Sequence, residues 1–164
     1  MPNWASGCVR VEGDPKDIEE FCKLFLFFDT DSMSQYFARS FIHQKWGEFK
    51  KEYLGGNIAE FGVEFAWSGH SCLVEGYPNG EECITLIEAC KKHKVKVAID
   101  TEESGFAFEE HIQCDRDGDL IEESNYMPTY VCACGEEISF PTNYDCLDEE
   151  ECWKCEKVGN WRKK

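Results

Sequence analysis

The sequence predicts an α+β fold, in which helices pack on one face of a mainly antiparallel β-sheet. Segments whose apolar residues alternate with polar ones predict strands, and segments with apolar residues three or four apart predict helices. An Asp-Gly pair, Asp117-Gly118, separates two of the last strand-like segments and predicts a hairpin. The order of elements is strand, helix, irregular helix, two strands, helix and three strands, which fits the α+β class.

The first strand and the first helix have clear boundaries in the sequence. Residues 6–13 alternate and end in glycine, which predicts a strand. Asp14 is the expected N-cap of a helix with Pro15 at its first position. The inward face of this helix is predicted to carry Ile18, Phe21, Cys22 and Phe25.

The middle of the chain is mixed up to residue 56, where Phe37, Phe41 and Trp46 indicate short helical pieces. Residues 57–69 alternate and predict a strand, and residues 70–78 predict a second strand or an extended run. Residues 79–94 predict a helix that closes on cations. Its buried face is expected to carry Cys83, Ile84, Ile87 and Cys90.

Three further strands are predicted at residues 95–101, 104–114 and 119–126. The simplest form of this order is a ferredoxin-like core with an extra hairpin. Pro128 marks a boundary, so the predicted organisation is a ferredoxin-like domain at residues 1–128, a zinc-ribbon-like segment at residues 129–159 and a basic tail at residues 160–164.

Three short motifs carry a family resemblance. They are MPNW at residues 1–4, FAWS at residues 65–68 and EESGFAF at residues 102–108. In this order they resemble the YubB-type ferredoxin-like proteins of plasmids and bacteriophages, over about residues 1–125. The resemblance implies a ferredoxin-like fold and an origin on a mobile element, and it implies no catalytic residues. The chain departs from the family at Ala5-Ser6, where the family has Cys-Asn, and in its added cysteine-rich segment.

The chain is strongly acidic, with a formal net charge of -16. Residues 1–99 hold 15 acidic and 11 basic residues, whereas residues 100–164 hold 18 and 6. This charge repels phosphate, so we expect no direct binding to nucleic acid or membranes and an affinity for basic protein surfaces. A merely solvated acidic face is the alternative. The start of the chain lacks the pattern of a signal peptide, which predicts a cytoplasmic protein with reduced thiols.

Five of the eleven cysteines lie between residues 130 and 155. An odd total excludes a complete set of intramolecular disulfides, and two close pairs on separate turns are typical of tetrahedral zinc sites. We therefore predict a structural Zn²⁺ site formed by Cys132, Cys134, Cys152 and Cys155, with Cys146 as a possible substitute ligand. Unrelated buried thiols are the alternative.

Other candidate sites are weaker. Asp115–Asp119 lacks the glycine position and the glutamate of a calcium-binding EF-hand loop, so a hairpin turn is favoured. His70 and Cys72 resemble a thiol–imidazole pair but lack an identifiable third group, and the basic run Lys91–Lys96 fits a helix C-terminus. Enzyme activity is not predicted.

The leading functional hypothesis is a non-enzymatic phage or mobile-element protein that inhibits a host defence nuclease in the bacterial cytoplasm. An anti-CRISPR protein would bind an RNA-guided CRISPR nuclease, whose basic channel holds the guide–target duplex, and block loading of target DNA. The alternative is a zinc-ribbon adaptor for host transcription or replication machinery, and a minor enzyme using His70 and Cys72 is a third hypothesis. The predicted partner contacts are Glu109, Glu110, Glu122, Glu123, Glu149, Glu150, Glu151 and Trp153.

Overall fold

The computed structural model describes residues 4–26, 40–75, 84–103, 108–126, 128–139 and 149–164. The first part of the chain contains the strands β1 (Trp4–Glu12), β2 (Ser40–Phe41), β3 (Ile58–Ala66), β4 (Lys96–Glu103), β5 (Phe108–Cys114) and β6 (Leu120–Tyr126). Between them lie the helices α1 (Pro15–Leu26), α2 (Trp46–Tyr53) and α3 (Leu86–His93), and a 3-10 helix at Gly69–Leu73. The strands β7 (Thr129–Cys132), β8 (Glu137–Ser139) and β9 (Trp161–Lys163) follow.

The strands form two antiparallel sheets. The larger has six strands in the order β2-β3-β1-β4-β5-β6, and the smaller has three in the order β8-β7-β9. Strand β1 is central in the large sheet, because it pairs with β3 from Trp4 to Glu12 and with β4 from Ser6 to Glu12. Three α-helices and antiparallel sheets confirm the predicted α+β class.

The hydrophobic core lies between one face of the large sheet and the helices. The odd-numbered residues Ala5, Val9 and Val11 of β1 are buried, as the alternation of a half-buried strand requires. Helices α1 and α3 meet over this face, and α2 packs Phe49 edge-on against Phe61 with 4.8 Å between ring centroids. Each large apolar side chain fully buried here stabilises the fold by about 1.5–3 kcal/mol.

Three predictions differ from the observed elements. Phe41 lies in strand β2 and not in a short helical piece. Helix α3 begins later than predicted, because Thr85 and Glu88 form a capping box directly before Leu86. Its buried face contains Leu86 and Ala89 in addition to the predicted Cys90. Cys83 lies outside the described residues. The predicted strand or extended run at residues 70–78 is wrong, since Gly69–Leu73 forms a 3-10 helix. The Asp117-Gly118 hairpin is confirmed, with Gly118 at φ 83°.

The 3-10 helix is explained by a buried carboxylate on β5. The side chain of Glu110 is fully buried and accepts hydrogen bonds from the hydroxyl of Thr101 at 2.9 Å and the N–H of Gly69 at 2.6 Å. The hydroxyl of Ser68 also donates to it, and Nδ1 of His70 lies 2.7 Å from Oε1. These donors hold the turn after β3 against β4 and β5.

Burial removes Glu109 and Glu110 from the set of partner contacts. Both side chains are nearly or completely inaccessible to solvent, at 5% and 0% exposure. The prediction that they contact a partner is therefore wrong. The sequence shows two adjacent glutamates on a strand, and only the fold reveals that buried hydrogen-bond donors surround Glu110 and that Glu109 is enclosed as well.

The other face of the large sheet carries none of the described helices. Its residues include Ser6, Arg10, Glu60 and Asp100, which are exposed. At Gly7 the backbone of β4 comes so close that a Cβ atom would lie 1.9 Å from the carbonyl oxygen of Asp100. No side chain fits at this position. Among the described residues, no helix is long and apolar enough to cross a lipid bilayer.

Replacing Glu110 with Gln is expected to lower the free energy of unfolding by about 3 kcal/mol, because a neutral amide cannot accept every hydrogen bond made by the carboxylate. Chemical denaturation of the full chain measures this loss. Glu102→Gln, at a half-buried position on the other face of the sheet, is the control and should change stability by less than about 0.5 kcal/mol. Equal effects of the two substitutions would contradict the role of the Glu110 network.

The stability of the large sheet should also fall in acid because of Glu110. Burial opposes its ionisation, but the hydrogen bonds from Ser68, His70, Gly69 and Thr101 outweigh burial and hold the pKa of Glu110 below the ordinary value of 4.5. Its contribution is therefore complete above pH 4.5 and is lost as pH falls through the lower folded-state pKa. Thermal unfolding between pH 6 and about pH 2.5 should show a shallower acid decline for Glu110→Gln than for the natural chain.

Candidate metal centre

The first half of the centre is a tight turn between β7 and β8, which we call the first knuckle (residues 132–136). The N–H of Cys132 donates to the carbonyl of Glu136 at 2.8 Å, and the N–H of Gly135 donates back to the carbonyl of Cys132 at 2.8 Å. Gly135 has a φ of 88°, which other residues rarely adopt. Glycine therefore lets the chain reverse directly after Cys134.

The second knuckle (residues 152–157) repeats this geometry with one more residue. The N–H of Cys152 donates to the carbonyl of Lys157 at 3.0 Å, and the N–H of Glu156 donates to the carbonyl of Cys152 at 2.8 Å. Glu156, the residue after Cys155, has a φ of 54°. In both knuckles a left-handed residue follows the second cysteine, so the C-x-C and C-x-x-C spacings produce comparable turns.

Strand β9 brings the two knuckles together. It pairs with β7 so that Trp161 lies opposite Cys132. The indole N–H of Trp161 donates to the carbonyl of Glu150 at 3.2 Å, which ties β9 to the start of the second knuckle. The predicted basic tail at residues 160–164 is thus part of the small sheet. A three-residue strand rich in cations gives no alternation signal, and sequence analysis missed it.

The four predicted ligand sulfurs meet between the knuckles. Their Sγ atoms all lie within 4.8 Å of one another, with 3.6 Å between Cys132 and Cys155 and 3.6 Å between Cys134 and Cys152. In a tetrahedral site with metal–sulfur bonds of about 2.3 Å the sulfurs would be about 3.8 Å apart. The cluster therefore fits a single metal ion, and the prediction that these four residues form one group is confirmed.

Backbone amides point at the sulfurs and favour thiolate. Burial opposes ionisation of Cys152, but the N–H groups of Cys155 and Lys154, together with the neighbouring thiols, lower its pKa to about 7. The N–H of Lys157 acts in the same sense on Cys155, yet burial and the adjacent sulfurs outweigh it and raise that pKa to about 12. The sulfurs of Cys152 and Cys155 thus compete for protons, and a cation would relieve this competition.

The remaining predicted ligands and nucleophiles lie elsewhere. Cys146 is outside the described residues. Cys72 is buried in the 3-10 helix, and the imidazole of His70 pairs with Glu110. The third group that the sequence did not identify beside His70 is therefore Glu110, which lies forty residues away and leaves no local signal.

The predicted partner contacts are divided between surfaces. Glu149 and Glu151 are exposed at the entry to the second knuckle, Glu150 is half-buried beside them, and Trp153 at its tip is 72% exposed. Glu122 and Glu123 lie on β6 opposite Gln113 and Ile112, and their side chains are outside what the structure describes.

Comparison of the chain with protein-family models, curated proteins and solved structures finds no match. The chemistry of this centre is therefore inferred from its four cysteine ligands alone. Four thiolates around one ion leave no coordination position for water or substrate, which favours a structural role over a catalytic one.

Glu156→Gly should strengthen metal binding, because glycine adopts the left-handed conformation at this position without the cost of about 1 kcal/mol that glutamate bears. We expect about fivefold tighter binding of Zn²⁺ or Co²⁺ in chelator competition. Gly135→Ala should act in the opposite sense through backbone strain alone, since no atom lies within 4 Å of its Cβ. Lys157→Gly, where φ is not positive, is the control, and a gain from this substitution would contradict the explanation.

Proposed function

We propose that the four-cysteine cluster binds one structural Zn²⁺. The supporting observation is that the small sheet has almost no apolar core. Among its described residues only Pro128, Cys132 and Cys152 are buried, so two of the three are metal ligands. Ion pairs between the knuckles, such as Lys154 with Glu136 at 3.1 Å, are exposed and contribute at most about 1 kcal/mol. A bound Zn²⁺ would crosslink the knuckles with a free energy on the order of 10 kcal/mol.

We further propose that the large sheet is a ferredoxin-like core. Strand β1 lies between β3 and β4, the short β2 pairs with β3, and all pairs are antiparallel. This arrangement, with α1 after β1 and α3 before β4, is what a split βαβ core requires, and β5 and β6 then form the additional hairpin. This strand order is the one that the resemblance to YubB-type proteins implies.

For the biological role we propose a non-enzymatic inhibitor of a host defence nuclease, of the anti-CRISPR type. The observation that carries it is the acidic surface, because a formal charge of -16 on 164 residues complements a channel lined by lysine and arginine. Occupying the channel of an RNA-guided nuclease would exclude target DNA without chemistry.

A zinc-ribbon adaptor for transcription or replication machinery is the second candidate. The observation that favours it is Trp153, which is 72% exposed at the tip of the second knuckle. Exposed tryptophans on rigid turns are frequent hot spots of protein interfaces. A knuckle held by a metal ion, with one exposed indole, would suit docking to a partner both in the inhibitor and in the adaptor.

Removing the metal should loosen the small sheet selectively. We expect protease sites within residues 128–139 and 149–164 to become accessible after treatment with a strong chelator, while the large sheet stays resistant. Limited proteolysis with mass spectrometry measures this, and readdition of Zn²⁺ should restore protection. Equal protection with and without chelator would contradict the structural role, and iron in elemental analysis of the purified protein would contradict Zn²⁺.

Affinity capture of the zinc-loaded chain from bacterial lysates that contain CRISPR effectors tests the inhibitor. We expect an RNA-guided nuclease to be retained and then released by about 0.5 M salt, because the contact is electrostatic. The purified nuclease should lose target cleavage when the chain is added before DNA. Retention of polymerase subunits without the nuclease would favour the adaptor instead.

A further inference from the structure

The face of the large sheet that carries none of the described helices contains a trough. Two cavities, with volumes of about 320 Å³ and 450 Å³, share Ser6 and Gly7 in their lining. The first lies over β4 and β5 as far as His111, and the second lies beside β3, where it is lined by His43 and by Tyr53 of helix α2. The outward residues of β3, β1, β4 and β5 that border the cavities span about 14 Å at the usual strand spacing, and we call this surface the trough.

Glycines form part of the floor of this trough. Gly62 on β3 lies opposite Cys8 on β1, next to the pair formed by Gly7 and Val63. A Cβ atom at Gly62 would meet only the carbonyl oxygen of Gly7, at 3.9 Å, so the space above it is open. The depression exists because this position of the exposed face lacks a side chain.

Carboxylates stand on both sides of the floor. On one side Glu64 pairs with the imidazole of His43 at 3.1 Å, and on the other Asp100 pairs with that of His111 at 2.7 Å. Arg10 is already engaged by Glu12 and Glu60, at 2.8 Å and 3.2 Å. The described outward residues of β1, β3, β4 and β5 that are exposed or half-buried comprise two permanent cations, Arg10 and Lys96, and five carboxylates, Glu12, Glu60, Glu64, Asp100 and Glu102.

The carboxylates are spread along the trough rather than gathered around one point. Among the described residues, the group whose ligand atoms approach closely enough for a metal ion is the four-cysteine cluster, so the trough does not resemble a cation-chelating site. Its negative charge excludes nucleic acid. Its width of about 14 Å matches about four residues of extended polypeptide at 3.3 Å per residue.

We propose that this trough is the docking site for a cationic polypeptide segment, whose lysine or arginine side chains lie between Glu64 and Asp100 above Gly62. The inference rests on the proposed function and deepens it, since it assigns the surface through which the chain engages its basic partner. Charge-assisted hydrogen bonds from guanidinium groups to these carboxylates supply specificity, and the glycine at position 62 supplies the space.

Binding of fluorescein-labelled octa-arginine to the full-length, zinc-loaded protein tests the trough by fluorescence anisotropy. Gly62→Val fills the floor with a side chain suited to a strand, and Glu64→Gln with Asp100→Asn removes two flanking charges. Each variant should weaken binding by about tenfold. Glu48→Gln with Glu75→Gln, which removes the same charge at two exposed positions outside the trough, is the matched control and should change affinity less than about twofold.

Two results would contradict the proposal that the trough binds a cationic polypeptide. Unchanged binding by Gly62→Val is one, and equal weakening by the Glu48 and Glu75 control is the other, because binding would then follow net charge alone. Thermal unfolding verifies that each variant is folded. If Gly62→Val does not fold, the smaller substitution Gly62→Ala and the double variant Glu64→Gln with Asp100→Asn are measured in its place.

Nuclease capture with the same variants separates this inference from the proposed function. Loss of the nuclease from Gly62→Val but not from the Glu48 and Glu75 control supports both. Retention of the nuclease by Gly62→Val overturns the trough and leaves the inhibitor in place. Trough-dependent binding of octa-arginine without any captured nuclease supports a cationic-peptide site and contradicts the inhibitor.

Discussion

The Glu110 carboxylate sets a constraint that much of the large sheet must satisfy. An ionised carboxylate without accessible surface is tolerated only when donors surround it, and its neighbours supply them. Thr101 on β4 and the turn from Ser68 to His70 converge on its two oxygens. Gly69 permits this approach, since a Cβ atom there would lie 3.1–3.2 Å from Thr101 and Glu110. One side chain on β5 thereby fixes the path of the chain after β3.

The small sheet is held by a different kind of constraint. Its strands are three or four residues long and bury little apolar surface, so hydrogen bonds and surface ion pairs are insufficient to order it. Both knuckles present their sulfurs from turns in which a left-handed residue follows the second cysteine. This shared geometry, joined through the pairing of β9 with β7, is the physical basis for proposing that a metal replaces a core.

The proposed role follows from how charge is distributed over these two scaffolds. The face of the large sheet that carries none of the described helices has an excess of carboxylates around a floor that includes Gly62, whereas the small sheet presents the exposed indole of Trp153. Because Glu109 and Glu110 are buried, they are not available as partner contacts, whereas Glu64 and Asp100 are accessible on this face. Part of the acidic character that the sequence displays therefore lies on this face of the large sheet.

The sequence by itself determined the type of most elements, because periodicity depends only on neighbouring residues. Alternation placed β1 and β3, the Asp117-Gly118 pair placed the hairpin, and cysteine spacing placed the four sulfurs in one cluster. Only the tertiary structure decided the burial of Glu110, the pairing of β9 with β7 and the trough above Gly62. Each of these depends on residues that are distant in the chain, and contacts between such residues leave no periodic signal in the sequence.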